Sequence, residues 1–321
     1  MLDAEVALGK LAQRTGNDIM KSGWRSVVHR LRGTSNISPN VGRIPHKAAR
    51  FLDHLRRHGA SVPVSTAPWG VARLDEAVRR GPHQSSHGER AFVAREMLDF
   101  CQQGYWMVVP VDVVRALLPM LRVSPLGVVP QRDRRPRLIV DYTFSGVNED
   151  TVALAPREAM QFGRALQRVI SAIVRADPRY GPVSMAKIDI ADGFYRVWLQ
   201  PDDIAKLGVA LPTPPGCTPL VAFPLALPMG WIESPPYFSS LTETACDLAN
   251  TRLSHGDPQL HHQHRLEAVA DTLPPDLASC PRPAPQHTAT GSTVNRRRPP
   301  LASVDVYVDD FLLLAQTKSQ Q

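Results

Sequence analysis

Two adjacent carboxylates interrupt the apolar run Val304–Leu314, whose sequence is VDVYVDDFLLL. The interior of a β-strand disfavours aspartate, and burying a charge is costly unless a partner neutralises it. Asp309 and Asp310 therefore restrict this segment to a few arrangements. A tight turn between two strands would expose both side chains, and a divalent cation would neutralise them. On this segment alone, a plain β-turn with solvated acids explains the pattern as well as a metal site does.

A second acidic string, MAKIDIADGFYRVWL, contains Asp189, which precedes Asp309 by 120 residues (309 − 189). Asp189 lies in a β pattern between two isoleucines, and Asp192 follows it. By itself this string is also explained by a strand end whose aspartate caps a helix. Together, two strand-borne acid clusters far apart in sequence meet the requirement of a two-metal phosphoryl-transfer site. Hard Mg²⁺ ions prefer carboxylate oxygens, and two such ions hold the attacking and leaving oxygens.

Composition narrows the class of protein. The 321 residues allow two or three domains at roughly 100–200 residues each. No run approaches the ~18 apolar residues of a membrane span, and Asp3 and Glu5 stand where a signal peptide would be basic and then apolar. We therefore expect an intracellular protein, cytoplasmic or nuclear, that is not secreted and not embedded in a membrane. The net charge of +7 favours a nucleic-acid partner only weakly.

The four cysteines form no CxxC pair, and the nearest two, Cys217 and Cys246, are 29 residues apart (246 − 217). The sequence therefore predicts neither a disulfide framework nor a zinc ribbon. A histidine-rich stretch with one cysteine has spacings that match no common zinc pattern, so a solvated loop is the simpler interpretation. Its residues are His255, His261, His262, His264 and Cys280. The basic run Arg296–Arg298 would contact phosphates or lie in solvent, and Trp24 and Trp69 have no assigned role.

Helices mixed with antiparallel hairpins predict an α+β fold. Residues 1–44 are expected to form a mobile arm with short helical pieces, and residues 59–88 a loop around one helical turn. The predicted helices span residues 45–55, 89–103, 111–121, 156–177 and 232–254. The predicted strands span residues 105–110, 126–130, 138–142, 184–190, 207–211 and 220–227. Residues 304–314 form an apolar run that holds the two adjacent acids. An apolar stripe with helical spacing marks the helix at 156–177, formed by Leu166, Val169, Ile170, Ile173 and Val174.

Four segments resemble, in chain order, the fingers motif and the three central palm motifs of reverse transcriptases of retroviruses and LTR retroelements. They are RPRLIVDYTFSGVN, KIDIADGFYRVWL, LALPMGWIESPPYF and VYVDDFLLL. One YxDD box is weak evidence, whereas four motifs in order over about residues 135–315 are specific. The resemblance implies a right-hand polymerase fold and an RNA-directed DNA polymerase. Such an enzyme uses dNTPs, an RNA or DNA template with a primer, and two Mg²⁺ ions, for which Mn²⁺ can substitute.

The resemblance also implies roles for the matching residues. Asp189 and Asp309 would bind both metal ions, the Ile190 carbonyl would be a further ligand, and Asp310 would complete the acidic triad. The expected contacts with template and primer come from Pro228, Trp231, Tyr307 and Val308.

The positions that match nucleotide-binding residues of the family lie in three of the motifs. Arg137 matches the arginine that grips the triphosphate, and Asp192 and the Gly193 amide match positions that hold the triphosphate and sugar. Phe194 matches the ring that excludes a 2′-hydroxyl, which favours dNTPs over rNTPs. The ordinary alternatives are a solvated hairpin charge at Arg137 and a core ring at Phe194.

The turn Leu227–Trp231 resembles the LPQGW or MPFGL turn of the family, so Met229 and Gly230 would touch the nucleotide and the templating base. Gly230 would permit close approach of the backbone to the nucleic acid. Retroviral enzymes have glutamine and many retroelements have phenylalanine where this chain has Met229, so a hydrogen bond to the nucleotide is absent. The family's fingertip lysine has no clear match, and three arginines are candidates to replace it. They are Arg132, Arg134 and Arg135.

The spacing from Asp189 to Asp309 exceeds the usual family spacing, and the excess coincides with residues 255–300, which are rich in Pro, His and Arg. We expect a disordered insertion there. The predicted organisation is a basic, partly helical extension (1–90), fingers (91–182), the first part of the palm (183–254), the insertion (255–300) and the palm hairpin (301–321).

No segment of the sequence resembles a thumb, so we expect either a truncated polymerase or one part of a larger Pol polyprotein. A catalytically incomplete remnant of an element that binds nucleic acid is the alternative. An RNA-dependent RNA polymerase would share the palm and its acids, but Phe194 and the YVDD box disfavour it.

Overall fold

The computed structural model describes residues 2–155, 157–253 and 299–316. These residues form two compact units. The first unit comprises Met1–Pro39, His54–Leu154 and Asp192–Ser234, and the second comprises Asn40–Asp53, Ala155–Ala191 and Pro235–Gln321. The predicted insertion lies outside the described residues except for positions 299 and 300, as do the histidine-rich stretch, Cys280 and Arg296–Arg298.

The predicted α+β class is confirmed, with ten α-helices and eight strands in the described part of the chain. The helices are α1 (Leu2–Ser22), α2 (Trp24–Arg32), α3 (Ala49–His58), α4 (Val71–Arg80), α5 (Gln84–His87), α6 (Arg90–Gln102), α7 (Val111–Leu117), α8 (Val147–Asp150), α9 (Ala165–Arg175) and α10 (Ser234–Leu253). The strands are β1 (Trp106–Pro110), β2 (Val123–Gln131), β3 (Arg134–Val140), β4 (Val183–Asp189), β5 (Gly208–Ala210), β6 (Leu220–Pro224), β7 (Ala302–Tyr307) and β8 (Asp310–Gln316). Short 3-10 helices lie between several of them.

The first unit is built on a mixed five-stranded sheet with the order β1-β6-β5-β2-β3. Strands β2 and β5 pair in parallel and the other neighbours pair antiparallel. Every residue of β1 is buried, which matches its continuous apolar sequence. The predicted basic hairpin is confirmed as β2 and β3, which join through a tight turn at Arg132 and Asp133. Asp133 has a φ of 56°, a left-handed conformation that aspartate tolerates in such turns.

The expectation of a mobile arm over residues 1–44 is wrong, because α1 and α2 pack into the first unit. The buried face of α1 carries Leu8, Ala12 and Ile19. At Gly16 a Cβ would lie 3.2 Å from Val113 Cγ2 and 3.3 Å from Pro110 Cδ. Small residues on this face let the helix approach β1 closely. They also weaken the periodic pattern of apolar residues in the sequence, and for this reason the packing of α1 was not predicted.

The structure also differs from the sequence-based expectation at residues 59–88, and it gives a role to Trp24 and Trp69. Residues 59–88 contain the three-turn helix α4 as well as the short α5, so they are more ordered than the predicted loop. Trp24 and Trp69 are packing residues of the first unit. The Trp24 indole donates to the Pro201 carbonyl at 2.8 Å, and the Arg73 guanidinium lies 4.1 Å from the centre of the Trp69 ring, a cation–π contact.

The second unit contains a three-stranded antiparallel sheet with the order β4-β8-β7. Strands β7 and β8 form a hairpin in which Tyr307 pairs with Asp310, so Val308 and Asp309 form a two-residue turn. This result confirms the tight-turn interpretation of the doubled aspartate. The apolar run over residues 304–314 therefore spans parts of two strands and the turn between them.

The helix predicted over residues 156–177 is shorter than expected, because α9 begins only at Ala165 and is preceded by 3-10 turns at Arg157–Ala159 and Phe162–Arg164. Of its predicted apolar stripe, only Val169 is buried, whereas Leu166, Ile170, Ile173 and Val174 are exposed. Val169 packs with Leu301 and Leu314 of the sheet. A three-stranded sheet is narrow, so it covers one line of the stripe rather than all of it.

Within the described residues, no helix combines the length and apolarity needed to cross a lipid bilayer. Cys101, Cys217 and Cys246 are free thiols. Burial raises the pKa of the Cys101 thiol to about 12 and also raises the pKa of Cys246. Both thiols are therefore protonated near neutral pH, which is unsuited to a nucleophile or a metal ligand.

The turn at residues 228–231 packs tightly against the end of β3. Gly230 has a φ of 94°, and a Cβ placed there would collide with the Val140 carbonyl oxygen. Asn148 fixes the same turn by donating to the Gly230 carbonyl at 3.0 Å and accepting from the Ile232 amide at 3.0 Å. The glycine is thus required by a contact within the protein, whatever it does for nucleic acid.

We expect Gly230→Ala to lower the free energy of unfolding by about 3 kcal/mol, because left-handed strain and a backbone collision add together. Gly216→Ala is the matched control. Gly216 has a φ of 79° with no atom within 4 Å of its would-be Cβ, so it should cost only about 1 kcal/mol. Urea denaturation of both variants measures the difference, and equal losses would show that the contact with Val140 does not constrain the turn.

Candidate functional site

The pairing of β4 with β8 brings the three predicted catalytic acids together. Asp189 is the last residue of β4 and pairs with Asp310, the first residue of β8. Directly opposed residues of an antiparallel pair project from the same face of the sheet. Asp309 lies in the adjoining turn, where its carbonyl accepts a hydrogen bond from the Ile190 amide at 3.1 Å. Two strand ends that are far apart in sequence therefore meet at one edge.

The geometry of this triad suits a hard cation. One carboxylate oxygen from each of Asp189, Asp309 and Asp310 lies within 4.8 Å of the others, with Asp189 exposed and the other two half-buried. Three carboxylates at that separation repel one another, and oxygen donors of this kind are the ligands that Mg²⁺ and Mn²⁺ prefer. The cluster is therefore able to bind a divalent metal ion, and its exposure leaves room for water or phosphate as further ligands.

Lys187 is a member of this site that the sequence analysis missed. Its Nζ lies 2.7 Å from Asp310 Oδ2. The hydrogen bond to Asp310 raises the pKa of Lys187 against the opposing effect of desolvation, and the charges of Asp310, Asp189 and Asp309 raise it further. Period-two alternation could have identified it, because positions 187 and 189 of one strand project from the same face. Lys187 is the cation that offsets the triad's charge in this structure.

The turn beside the triad is strained. Val308 has a φ of 59°, which is a genuine outlier for a β-branched residue. Such positions persist only where the surrounding structure holds them, and they cluster at functional sites. Tyr307 is exposed, and its ring meets that of Phe162 edge-on with centroids 5.7 Å apart. Both residues that were expected to contact the primer therefore lie at the exposed tip that carries Asp309.

Two sets of contacts from helices stabilise strand β7 of the hairpin. Arg168 of α9 donates two hydrogen bonds to Asp305 of β7, at 2.7 and 2.6 Å, a bidentate pair that is mostly shielded from solvent. Asn250 of α10 binds the free edge of β7, donating to the Val304 carbonyl at 2.7 Å and accepting from the Val304 amide at 2.8 Å. The strand that leads into the turn is thus fixed on one face and along one edge.

The expected nucleotide-binding residues belong to the first unit, whereas the carboxylates belong to the second. Asp192 is exposed, has a φ of 55°, and accepts a hydrogen bond from Tyr105 Oη at 3.4 Å. Burial and the charge of Asp192 raise the pKa of Tyr105, so the phenol stays a donor. Gly193 is buried and Phe194 is half-buried, at the start of a 3-10 turn.

The hairpin arginines fall into two groups. Arg135 is paired with Glu96 and lies 3.8 Å from Asp99, so it is the least suited of the three fingertip candidates. Arg132 and Arg134 lie at the exposed tip. Arg137 is exposed on β3 opposite Val129, and within the described residues its side chain has no acidic partner. That leaves its guanidinium available to an anionic ligand.

The turn at residues 228–231 only partly matches its expected role. Met229 is exposed, as a residue that touches a nucleotide must be. Pro228 and Trp231 are buried, and the Trp231 indole donates to Thr151 Oγ1 at 3.2 Å. That Pro228 and Trp231 contact template or primer stays a prediction. Both side chains pack under the turn and stabilise it, because burying an apolar ring lowers its free energy relative to exposing it to water.

The chain is similar to solved structures but to no known protein at the level of sequence. No family model matches the chain, and no curated protein sequence matches it. Among solved structures, the crystal structure of prototype foamy virus protease–reverse transcriptase is similar, with a TM-score of 0.41 and 16% identity over 80% of this chain. The matched region is 23% of that chain, so this chain spans about a quarter of its length. A similarity of this size does not establish a shared fold or activity.

We expect Lys187→Met to tighten Mn²⁺ binding by about threefold to tenfold. A lysine charge roughly 5 Å from a divalent ion costs on the order of 1–2 kcal/mol in water, and salt reduces that cost. Titration monitored by electron paramagnetic resonance measures free Mn²⁺ directly. Lys187→Arg keeps the charge and should bind as the wild type does, and Asp189→Asn should abolish the binding. Unchanged or weaker binding by Lys187→Met would contradict the role given to this lysine.

Proposed function

We propose that this chain carries the catalytic core of an RNA-directed DNA polymerase of the retroelement type. The observation that carries the proposal is the convergence of Asp189, Asp309 and Asp310 within 4.8 Å from two segments that the sequence separates by 120 residues (309 − 189). A solvated β-turn explains the doubled aspartate alone. It does not explain why a third acid, at the end of another strand, pairs directly with Asp310.

The order of the sequence motifs supports the same function. The acids lie in the two segments that resemble the first and last palm motifs of reverse transcriptases, and the chain carries a fingers-like arginine hairpin before them. In the reaction we propose, the 3′-hydroxyl of a primer attacks the α-phosphate of a dNTP. A new phosphodiester bond forms, the bond to the β-phosphate breaks, and pyrophosphate leaves.

Each residue's contribution follows from its chemistry. The triad would hold two divalent cations, which supply charge neutralisation at the attacking and leaving oxygens when bound. Arg137 offers a planar fork for two phosphate oxygens, a task for which arginine is better shaped than lysine. The Gly193 amide and Asp192 would position the triphosphate and sugar, Phe194 would exclude a 2′-hydroxyl, and catalysis would come mostly from positioning and electrostatics.

The second candidate is a catalytically incomplete chain that only binds nucleic acid. The ion pair between Lys187 and Asp310 is the observation that favours it, because a lysine at the triad competes with a cation. The two functions differ in one property: an incomplete chain would bind primer–template and incorporate nothing.

The decisive experiment is primer extension on an RNA template with dNTPs, in Mg²⁺ and in Mn²⁺. We expect Asp309→Asn and Asp189→Asn to reduce incorporation at least about a hundredfold, while binding of primer–template changes little. The asparagine keeps the shape of each side chain and removes its charge. Glu76→Gln is the matched control, since it removes an exposed acid of α4, and it should retain full activity.

Two results would overturn the proposal. Activity retained by Asp309→Asn or Asp189→Asn would exclude the two-metal mechanism at this triad. Absence of extension by the folded wild-type chain, with primer–template bound, would support the incomplete nucleic-acid-binding alternative. Competition between dNTPs and rNTPs in the same assay tests the role of Phe194, and preference for rNTPs would contradict it.

A further inference from the structure

Phe144 is a large apolar side chain left in solvent in the first unit, with 56% of its surface exposed. Single exposed apolar residues are common and need no explanation. This one is different because polar and charged groups surround it in a fixed arrangement. The Arg80 guanidinium carbon lies 4.9 Å from the centre of the Phe144 ring, and the His83 imidazole meets that ring edge-on at 5.2 Å and 79°.

Asp141 fixes this arrangement. One of its carboxylate oxygens lies 3.2 Å from His83 Nε2, and the other accepts a hydrogen bond from the Phe144 amide at 2.8 Å. The His83 backbone is itself tied to β2, because its amide donates to the Leu126 carbonyl at 2.8 Å. The Asp141 carboxylate therefore fixes both the orientation of the His83 imidazole and the position of the Phe144 backbone. The ring is held in position although solvent surrounds much of it.

Arg80 supplies positive charge that no acid of the described residues neutralises. It is the last residue of α4 and is exposed. A cation over an aromatic face is worth about 0.5–1 kcal/mol at an exposed site, which orients the guanidinium without withdrawing it from solvent. The result is a guanidinium over the ring, with an imidazole that meets the ring edge-on.

The surface continues from this stack along β3 toward Arg137. Ile139 and Arg137 are alternate residues of β3, so they project from one face of the strand, and Asp141 follows directly after the strand ends. His83 lies over Gly127, where a Cβ would be 3.6 Å from His83 Cδ2, and Gly127 pairs with Ile139. Ile139 is exposed. The aromatic ring of Phe144 and the exposed Ile139 thus lie between Arg80 of α4 and Arg137 of β3, two arginines without an acidic partner among the described residues.

We propose that Arg80, His83 and Phe144 form a stacking site for an unpaired base of single-stranded nucleic acid, whose backbone runs along β3 past Ile139. Bases stack on aromatic side chains without regard to sequence, and unpaired arginines attract the phosphates. A protein partner would require a broader apolar surface than one aromatic ring beside two cationic groups. The inference rests on the proposed function in one respect, which is that the bound strand would be the template. Binding of the single strand itself requires no catalysis.

The test is fluorescence anisotropy with a labelled single-stranded RNA oligonucleotide of mixed sequence and with a duplex of the same length. Phe144→Ala should weaken single-strand binding by about fivefold or more, because stacking on one aromatic side chain contributes that much per base. Phe144→Trp, which keeps a stacking face, should retain or tighten binding. Neither variant should change duplex binding appreciably.

Arg80→Gln should weaken single-strand binding and reduce the slope of log affinity against log salt by about 1, the signature of one lost phosphate contact. Arg79→Gln and Val71→Ala are the matched controls, because both remove exposed side chains of the same helix outside the stack. Both should bind the single strand as the wild type does.

The inference is overturned if Phe144→Ala binds the single strand as tightly as the wild type while its circular dichroism spectrum shows a folded chain. It is equally overturned if Phe144→Ala weakens single-strand and duplex binding alike, since that pattern indicates general electrostatics or misfolding. A chain that fails to extend primers yet loses single-strand affinity on Phe144→Ala would contradict the polymerase proposal and leave the stacking site standing. The two proposals therefore fail on different measurements.

Discussion

Mutual repulsion of three carboxylates is the constraint around which the second unit is built. Asp189, Asp309 and Asp310 gain nothing from one another, so their approach must be supported by the sheet that holds them. Seven residue pairs join β4 to β8, and this pairing fixes where each strand ends. Lys187 offsets part of the charge through Asp310. A site of this kind stores electrostatic energy that a bound cation would release, which is why acidic clusters of this density are associated with metals.

Other contacts of the second unit hold the hairpin in place against the repulsion between the three carboxylates. The Arg168–Asp305 pair and the Asn250 contacts hold β7 on one face and along one edge, and Val308 takes a conformation that a valine adopts only under constraint. A bidentate, shielded ion pair has a defined geometry that an exposed pair lacks. Arg168 and Asn250 are far from the hairpin acids in sequence and contact none of the expected ligands, yet they hold the strand that leads to Asp309.

Sequence reasoning succeeded where a local pattern had one structural solution. The hairpin at β2 and β3 and the doubled aspartate in a turn follow from alternation, turn chemistry and the cost of buried charge. The convergence of the three acids was expected only from the resemblance of their segments to the palm motifs. Sequence reasoning failed where burial depended on a partner surface. Helix α1 packs through small residues such as Gly16, which carry little hydrophobic signal. The stripe of α9 looked like a core face, but the narrow sheet covers little more than Val169. The burial of Trp231 was likewise not predicted from the sequence.

The sequence by itself determined the chemistry of this protein: which acids, arginines and rings are present, and the strand and turn patterns that carry them. Those properties are local, because alternation and charge burial act over a few residues. The tertiary structure alone decided which of them meet. The pairing that places Lys187 on Asp310 and the Asp141 contacts that hold Phe144 beside Arg80 depend on register and on elements distant in the chain. No local preference fixes such contacts, because they arise only when the whole sheet is assembled.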